Sequence, residues 1–319
     1  MSRPSLYLSR LLPSPVMEVI RERFSLVLEP DVLPPDRATL IPGLQAAQAV
    51  ICTLTERIDA EALRGAPILK VIANYAVGYN NIDVAAAKDR GIVVTNTPDV
   101  LTEATADLTW ALLLALARRI PEGHQLVQGG QWAGWEPTQL LGAEVQGKTL
   151  GIVGLGRIGQ AVAKRASGFD MPVLYCTRTD RSTLPPQRFW QRVSLQEALT
   201  RSDFVSLHVP LAEATRHLIG AAELRLMKPT AYLVNTSRGP VVDEAALVEA
   251  LRAGRLAGAG LDVYEEEPRL HPGLFGLPQV VTLPHLGSAT LTARVRMGLM
   301  CVDNVLAVLE GRPAPNRVV

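Results

Sequence analysis

Short apolar runs recur along the first hundred residues and predict strands. They lie at 5–10, 25–28, 49–53, 69–73 and 92–95. Segments with the apolar spacing of a helix follow most of them, at 15–24, from 36 onwards, at 59–64 and at 83–90. Because strands and helices alternate strictly, this part of the chain is predicted to form a parallel α/β layer.

A second set of apolar runs lies further along the chain, at 150–153, 172–176, 204–208, 231–235, 258–263 and 280–283. These six runs predict a second parallel sheet. A long helix at 99–119, ending before Pro121, is expected to connect the two parts, and a helix at 290–309 is expected to return to the first. The stretch 128–146 combines two tryptophans with turn-forming residues and predicts an irregular arm. The predicted fold class is therefore α/β, with two doubly wound parallel-sheet domains.

Three glycines lie between the first two runs of this second set. Gly154, Gly156 and Gly159 form a G-x-G-x-x-G pattern directly after 150–153 and at the start of a helical segment, 158–167. The first glycine permits a tight turn, the second lets the backbone approach a pyrophosphate, and the third lets the helix pack on the strand. The helix N-terminus adds free N–H groups and the positive end of its dipole. The pattern in this context predicts a dinucleotide site.

Composition limits the class of protein. The chain has 319 residues, 48% hydrophobic and 20% charged, which is typical of a globular protein with room for two domains. Its net charge of +1 gives no electrostatic argument for binding nucleic acid or an anionic membrane. Cys52, Cys176 and Cys301 are far apart and lack metal-ligand spacing, so neither a disulfide framework nor a zinc site is expected. No stretch resembles a membrane span or a signal peptide, and we expect a cytoplasmic protein.

Three polar side chains follow strands of the second set. Arg238 comes after 231–235, Glu267 after 258–263 and His285 after 280–283. The carboxyl ends of parallel strands share one edge, where the dinucleotide would bind. There an arginine can hold a carboxylate through two N–H groups and polarise a ketone, while a histidine transfers a proton. A glutamate beside the imidazole orients it and favours its charged form. The set predicts hydride chemistry on a 2-oxo acid.

Several segments of the chain together resemble the D-isomer-specific 2-hydroxyacid dehydrogenase family, and within it most closely the glyoxylate/hydroxypyruvate reductases. They are YAVGYNNID, GLGRIGQAVAKRASGFDM, HVPLAEATRHLIG, NTSRGPVVDEAAL, AGAGLDVYEEEP and LPHLGSAT. The resemblance covers nearly the whole chain and implies two Rossmann-like domains with the active site in the cleft between them. It implies a discontinuous, flavodoxin-like substrate-binding domain, 1–98 plus 288–319, and a dinucleotide-binding domain, 99–287, with a dimerisation arm at 120–147.

The resemblance also implies an activity and the residues that perform it. It implies reduction of glyoxylate or hydroxypyruvate to the D-2-hydroxy acid by NAD(P)H, in a homodimer without a metal, with Arg238, Glu267 and His285 catalytic. The cofactor positions are Thr105, Gly154, Leu155, Gly156, Arg157, Ile158, Gly159, Thr177, Arg178, Thr179, Pro210, Thr236, Asp262, His285 and Gly287. The substrate positions are Leu54, the N–H groups of Val77 and Gly78, Arg238, and Trp135 reaching a partner subunit's pocket. Packing of Trp132 and Trp135 within the dimer arm is the alternative.

The end of the second strand of the dinucleotide domain bears on the choice of cofactor. Alignment of FDMPVLYCTR with the family pattern F-G-M-x-V-x-x-Y-D-P places Thr177 where an acidic, ribose-binding residue is expected. Loss of that carboxylate removes repulsion against a 2′-phosphate, and Arg178, with Arg181, can pair with the phosphate. We therefore expect a preference for NADPH, with NADH also possible. The alternative is that Arg178 is an ordinary surface charge.

Two other interpretations are compatible with the same motifs. One is a nucleotide-sensing scaffold like the C-terminal-binding-protein corepressors, which share this fold and its catalytic residues but carry extra tails that this chain does not show. Such a scaffold would turn over small acids poorly. The other is a dehydrogenase for a bulkier D-2-hydroxy acid. Leu54, Val77 and Trp135 suggest a small pocket, which favours glyoxylate or hydroxypyruvate.

Overall fold

The structure is a computed structural model that describes residues 3–178 and 189–319. The strands of the described residues are β1 Ser5–Leu8, β2 Ser25–Leu26, β3 Ala49–Cys52, β4 Val71–Asn74, β5 Val93–Thr95, β6 Leu150–Val153, β7 Val173–Cys176, β8 Trp190–Arg192, β9 Phe204–Leu207, β10 Tyr232–Asn235, β11 Gly258–Leu261 and β12 Val280–Thr282. The helices are α1 Ser14–Arg23, α2 Arg37–Ala46, α3 Ala60–Arg64, α4 Val84–Asp89, α5 Thr102–Ala117, α6 Ile120–Gln128, α7 Arg157–Arg165, α8 Leu195–Arg201, α9 Ala221–Leu226, α10 Glu244–Arg252 and α11 Leu291–Leu309. The chain divides into two compact units, Met1–Leu101 with Ala289–Val319, and Thr102–Ser288.

The first unit contains a parallel sheet in the order β2-β1-β3-β4-β5. Every residue of β3 and β4 is buried, as expected for parallel strands covered by helices on both faces. The carboxylates of Asp36, Asp59 and Asp83 accept backbone N–H groups at the starts of α2, α3 and α4. The C-terminal helix α11 packs against β3, β4 and β5 of this unit. All five strands predicted in this region are present.

The second unit contains a parallel sheet in the order β12-β11-β10-β9-β6-β7-β8. The chain leaves β6 towards β7 on one side and later towards β9 on the other, so the strand order reverses at β6. In open α/β sheets ligands bind at the carboxyl ends of the strands beside such a reversal. Helix α5 lies along α7, and the Trp110 ring of α5 stacks on Phe169, which follows α7, with centroids 4.8 Å apart. The two parallel sheets confirm the predicted fold class.

Three features of the second unit differ from the sequence-based expectation. The sheet has a seventh strand, β8, that was not predicted because its three residues are mostly polar and lie at the sheet edge. The helix expected at 99–119 is shorter and ends at Ala117. Arg119 then takes a left-handed conformation, φ 53°, and a new helix, α6, begins with Pro121 in its first turn. Residues 129–146 contain no helix or strand, as predicted for the arm.

Candidate active site

The glycine-rich turn lies between β6 and α7. Gly154 has φ 98°, and a Cβ there would lie 2.6 Å from the carbonyl oxygen of His208. A Cβ at Gly159 would lie 2.1 Å from the carbonyl oxygen of Gly154, so helix and turn could not approach each other. A Cβ at Gly156, by contrast, would meet open space at the N-terminus of α7. Two glycines are thus required by packing, and the third leaves room for a phosphate group against the helix N-terminus. This geometry fits a dinucleotide.

The other residues predicted to contact the cofactor lie along one edge of the same sheet. Leu155, Arg157 and Ile158 belong to the turn and the first residues of α7. The remaining positions follow the carboxyl ends of successive strands: Thr177 and Arg178 after β7, Pro210 after β9, Thr236 after β10, Asp262 after β11, and His285 and Gly287 after β12. Thr105 of α5 reaches this edge, since its hydroxyl donates to the Gly287 carbonyl at 3.0 Å. The predicted Thr179 and Arg181 lie outside the described residues.

Asp262, directly after β11, forms hydrogen bonds with the segment after β12. Its carboxylate accepts the N–H groups of Leu286 at 2.6 Å and Gly287 at 2.8 Å. Its carbonyl oxygen accepts the N–H of His285 at 3.0 Å. His285 itself has φ 55°, an uncommon conformation for a residue with a side chain. The backbone of His285 is therefore fixed by a neighbouring strand end rather than by its own loop.

His285 and Glu267 form a hydrogen-bonded pair. The distance between His285 Nδ1 and Glu267 Oε2 is 2.9 Å, and Glu267 Oε1 accepts the N–H of Tyr264 at 3.1 Å. Burial by itself raises the pKa of Glu267, but the hydrogen bond and charge of His285, the Tyr264 N–H and the charge of Arg238 together hold it below its usual range. Since Glu267 occupies Nδ1, the imidazole has Nε2 available to exchange a proton with a substrate.

Arg238 lies in a tightly hydrogen-bonded turn after β10. The Asn235 side chain donates to the Arg238 carbonyl at 3.0 Å and accepts the N–H of Ser237 at 3.0 Å. Burial lowers the pKa of Arg238, while the charge of Glu267 opposes that shift. Arg238 follows β10, Glu267 follows the neighbouring strand β11, and His285 follows β12, so the structure places these three predicted side chains at the carboxyl edge of one sheet.

The first unit carries the other predicted substrate residues at the carboxyl edge of its own sheet. Leu54 lies in the turn after β3 and is half-buried. Val77 and Gly78 follow β4 and are also half-buried. In the second unit, Trp135 lies in the segment after α6, with 81% of its surface exposed.

Among the described residues, no group of three or more His, Cys, Asp or Glu side chains is placed to hold a metal ion.

Comparison with known proteins identifies the family. Residues 110–287 match the model of the D-isomer specific 2-hydroxyacid dehydrogenase, NAD binding domain. The chain belongs to this family. A glyoxylate reductase of Thermococcus litoralis is 48% identical over 99% of this chain and 97% of its own length. A solved structure from Thermus thermophilus is 50% identical, with a TM-score of 0.93 over 99% of this chain and 100% of its own.

A further relative was solved in complex with its cofactor. The NADPH-dependent glyoxylate/hydroxypyruvate reductase of Sinorhizobium meliloti, solved in complex with NADP and malonate, is 36% identical with a TM-score of 0.89. The match covers 100% of this chain and 97% of that chain. These findings confirm the resemblance inferred from the sequence motifs. They make the chain an oxidoreductase with a domain of the type that binds a nicotinamide dinucleotide.

Two residues of this dehydrogenase that support Arg238, Glu267 and His285 were not predicted from the sequence. A Cβ at Gly239 would lie 1.8 Å from the carbonyl carbon and oxygen of Tyr264, so the turn that carries Arg238 rests directly on the segment that carries Glu267. The Tyr264 hydroxyl donates to the Leu283 carbonyl at 2.7 Å, two residues before His285. The glycine after Arg238 is visible in the sequence, but its contact with Tyr264 depends on the neighbouring strand.

The segment that carries Glu267 is also held from the side of α10. The N–H of Glu244 donates to Glu265 Oε2 at 3.1 Å, and the N–H of Glu265 donates to Glu244 Oε1 at 2.8 Å. His217 pairs with the other carboxylate oxygen of Glu265. Glu244 is almost fully buried, and burial raises its pKa. Arg238, Glu267 and His285 are therefore supported by contacts between loops that are far apart in the sequence.

Proposed function

We propose that this protein reduces a small 2-oxo acid, glyoxylate or hydroxypyruvate, to the D-2-hydroxy acid. The observation that carries the proposal is the grouping of Arg238, Glu267 and His285 at the carboxyl edge of the sheet that bears the glycine-rich turn. The names of the relatives, glyoxylate reductase and glyoxylate/hydroxypyruvate reductase, support the choice of substrate.

In this proposal each of the three side chains has one task. A bound nicotinamide dinucleotide supplies the hydride. Arg238 pairs with the substrate carboxylate and polarises the carbonyl bond, since its planar guanidinium presents parallel N–H donors. His285 donates the proton on Nε2 to the carbonyl oxygen as negative charge develops there. Glu267 holds Nδ1 and stabilises the imidazolium until the proton is transferred.

We propose that the first unit contributes the N–H groups of Val77 and Gly78 as donors to the substrate carboxylate, with Leu54 as an apolar neighbour. Support comes from their position at the carboxyl edge of a parallel sheet, where such folds bind ligands. A carboxylate accepts backbone N–H groups strongly because the acceptor is charged. The exposed Trp135 is proposed to reach the substrate pocket of a partner subunit.

We propose NADPH as the preferred cofactor, with NADH as a weaker one. Thr177 directly follows β7 and has no carboxylate, and the next residue, Arg178, is exposed. Arg192 of β8 donates to the Thr177 carbonyl at 3.2 Å, which adds a second guanidinium beside this position. Arg178→Ala should raise the KM for NADPH about tenfold, because it removes one charged hydrogen bond to the 2′-phosphate, and leave the KM for NADH unchanged. An unchanged KM for NADPH would disprove the role of Arg178.

We propose a homodimer that forms through α6 and the arm that follows it. None of the residues of α6 is buried within the chain. Large apolar side chains of this region are each more than half exposed: Ile120, Val127, Trp132, Trp135 and Leu141. Several exposed apolar side chains in one segment are suited to burial in a protein–protein interface. Analytical ultracentrifugation of the wild-type protein and of an Ile120→Glu, Val127→Glu variant tests this, and a monomeric wild type would contradict it.

The proposed reaction is tested by initial rates of cofactor oxidation with glyoxylate and hydroxypyruvate, each with NADPH and NADH. We expect fast turnover of both acids, faster with NADPH. Turnover that favours NADH would preserve the proposed chemistry and disprove the proposed cofactor preference. Slow turnover of both acids, together with activity on larger 2-oxo acids, would replace the substrate. Tight dinucleotide binding without turnover would favour a nucleotide-sensing scaffold.

A further inference from the structure

The loop after β4 in the first unit has an unusual pattern of backbone hydrogen bonds. Three successive carbonyl oxygens each accept a donor from the protein. The carbonyl of Ala76 accepts the N–H of Thr97 at 2.9 Å. The carbonyl of Val77 accepts Asn96 Nδ2 at 2.8 Å, and that of Gly78 accepts Asn74 Nδ2 at 2.7 Å. Two of these three donors are side-chain amides, so they are set by residue type rather than by the fold alone.

The orientation of these carbonyls determines where the adjacent N–H groups point. In a planar trans peptide the carbonyl of one residue and the N–H of the next point in opposite directions. The N–H groups of Val77, Gly78 and Tyr79 therefore point away from the donors that hold the three carbonyls. None of these three N–H groups donates to an acceptor within residues 3–178 and 189–319. Three adjacent donors on one short loop suit an anion with two or more oxygens.

A second layer of hydrogen bonds fixes the amide of Asn74. Asn74 is fully buried, and its amide exchanges hydrogen bonds with that of Asn81, at 3.3 and 3.4 Å. Asn81 Nδ2 also donates to the Thr53 carbonyl at 2.9 Å. Rotation of the Asn74 amide by 180° would place its oxygen against the Gly78 carbonyl and leave two buried polar atoms unpaired, which is costly. The Asn74 side chain therefore has one favourable orientation, with its nitrogen towards Gly78.

We propose that Asn96 and Asn74 are positioning residues that orient the N–H groups of Gly78 and Tyr79 towards a carboxylate, beside the N–H of Val77, with Tyr79 N–H as a third donor. The inference deepens the proposed function and rests on it. Neither asparagine touches the substrate in this account, since each acts through the carbonyl that it holds. Without its asparagine, a carbonyl can rotate towards the opposite side, and the N–H that follows it then turns away from the carboxylate.

The test uses two variants that remove one donor each without adding charge, Asn74→Leu and Asn96→Leu. The matched control is Leu44→Ala, which destabilises the same unit from the buried face of α2, away from this loop. Binding of oxalate, a small carboxylate that cannot be reduced by hydride, is measured by isothermal titration calorimetry with saturating NADPH. Steady-state rates with glyoxylate and thermal unfolding are recorded for the same proteins.

We expect each asparagine variant to raise the Kd for oxalate and the KM for glyoxylate about tenfold, as one charged hydrogen bond is weakened or lost. The kcat should change less, and the Kd for NADPH should stay within about twofold, because neither residue acts on the dinucleotide. Leu44→Ala should lose thermal stability and keep the wild-type Kd for oxalate. Asn96 is only half-buried, so its replacement disturbs the core less. Asn96→Leu therefore tests the inference if Asn74→Leu fails to fold.

The inference is wrong if both asparagine variants bind oxalate within about twofold of the wild type, or if Leu44→Ala weakens oxalate binding as much as they do. Failure of the wild type to bind oxalate also overturns it. Failure of the proposed function gives a different pattern. A wild type that binds oxalate but reduces neither glyoxylate nor hydroxypyruvate refutes the proposed reaction, and weaker oxalate binding by the variants then still supports the role of the asparagines.

Discussion

The carboxyl edges of the two parallel sheets carry different kinds of chemistry. In the second unit the edge presents ionisable side chains, Arg238, Glu267 and His285, held by contacts between loops. In the first unit the carboxyl edge presents backbone N–H groups whose neighbouring carbonyls accept the amides of Asn74 and Asn96 and the N–H of Thr97. Arginine, glutamate and histidine can be recognised in a sequence by residue type. A backbone N–H group cannot, because almost every residue has one. The comparison teaches that side-chain chemistry can be inferred from residue types, whereas the chemistry of backbone donors depends on how the neighbouring carbonyls are held.

The two edges also differ in what a mutation should do. A side chain that exchanges a proton acts at the transition state, so its loss reduces kcat. Backbone donors that bind the substrate carboxylate stabilise the bound substrate and the transition state equally. Misorienting these donors therefore raises KM. His285→Asn tests that contrast within the second unit, and the asparagine variants test it within the first.

The largest effect is expected for His285→Asn. This variant removes the proton donor, and we expect kcat for 2-oxo acid reduction to fall by a factor of about 10² to 10⁴, with a much smaller change in KM. The measurement is steady-state kinetics at neutral pH. His271→Asn is the control, because the His271 ring accepts the N–H of Gly273 through Nδ1, a role that an asparagine oxygen can take over. Wild-type kcat in His285→Asn would contradict the assignment.

A large effect is also expected for Gly239→Ala, which tests whether the contact between the loops matters. The new methyl group would overlap the Tyr264 carbonyl, so the turn carrying Arg238 must move away from the segment carrying Glu267. A displacement of about 1 Å in an active site can cost about 10² in rate. In Gly168→Ala the methyl group meets open space, and activity should be retained. Equal activity of the two variants would show that the contact does not control catalysis.

A moderate, pH-dependent effect is expected for Glu267→Gln. The pKa of Glu267 is held below its usual range, so in the wild type the carboxylate is charged throughout the neutral range and is hydrogen-bonded to His285 Nδ1. The amide of the variant is neutral at every pH. We expect kcat/KM for 2-oxo acid reduction to be about tenfold lower in the variant at neutral pH, and the difference to shrink as the pH falls below the usual range of a carboxyl group, where the wild-type glutamate becomes protonated. A difference that is the same at every pH would indicate a role in packing instead.

The smallest effect concerns stability and involves His208, which lies after β9 beside the glycine-rich turn and whose Nε2 lies 2.8 Å from Ser206 Oγ. Burial lowers the pKa of His208 from 6.5 to about 3. Below pH 6.5 the unfolded chain therefore binds a proton that the folded protein does not, and stability is lost as the pH falls towards 3. In His208→Asn the fall in Tm between these pH values should be shallower than in the wild type, by differential scanning fluorimetry. Parallel curves would contradict this role of His208.

The sequence predicts most of the fold, because buried parallel strands are short apolar runs and helices lie between them. It does not predict β8, whose residues are polar at a sheet edge, or α6, because Pro121 was expected to mark the end of a helix rather than the first turn of the next. Arg238, Glu267 and His285 could be proposed because their residue types and strand-end positions coincide. Gly239 and Asn74 could not, since their importance depends on neighbours contributed by other strands and loops.

The central claim is that the side-chain edge of the second unit reduces a small 2-oxo acid to the D-2-hydroxy acid. It is tested most directly by the configuration of the glycerate formed from hydroxypyruvate with NADPH, determined by chiral chromatography of the product. The account predicts D-glycerate alone from the wild-type protein. Formation of L-glycerate, or of a racemic mixture, would contradict it.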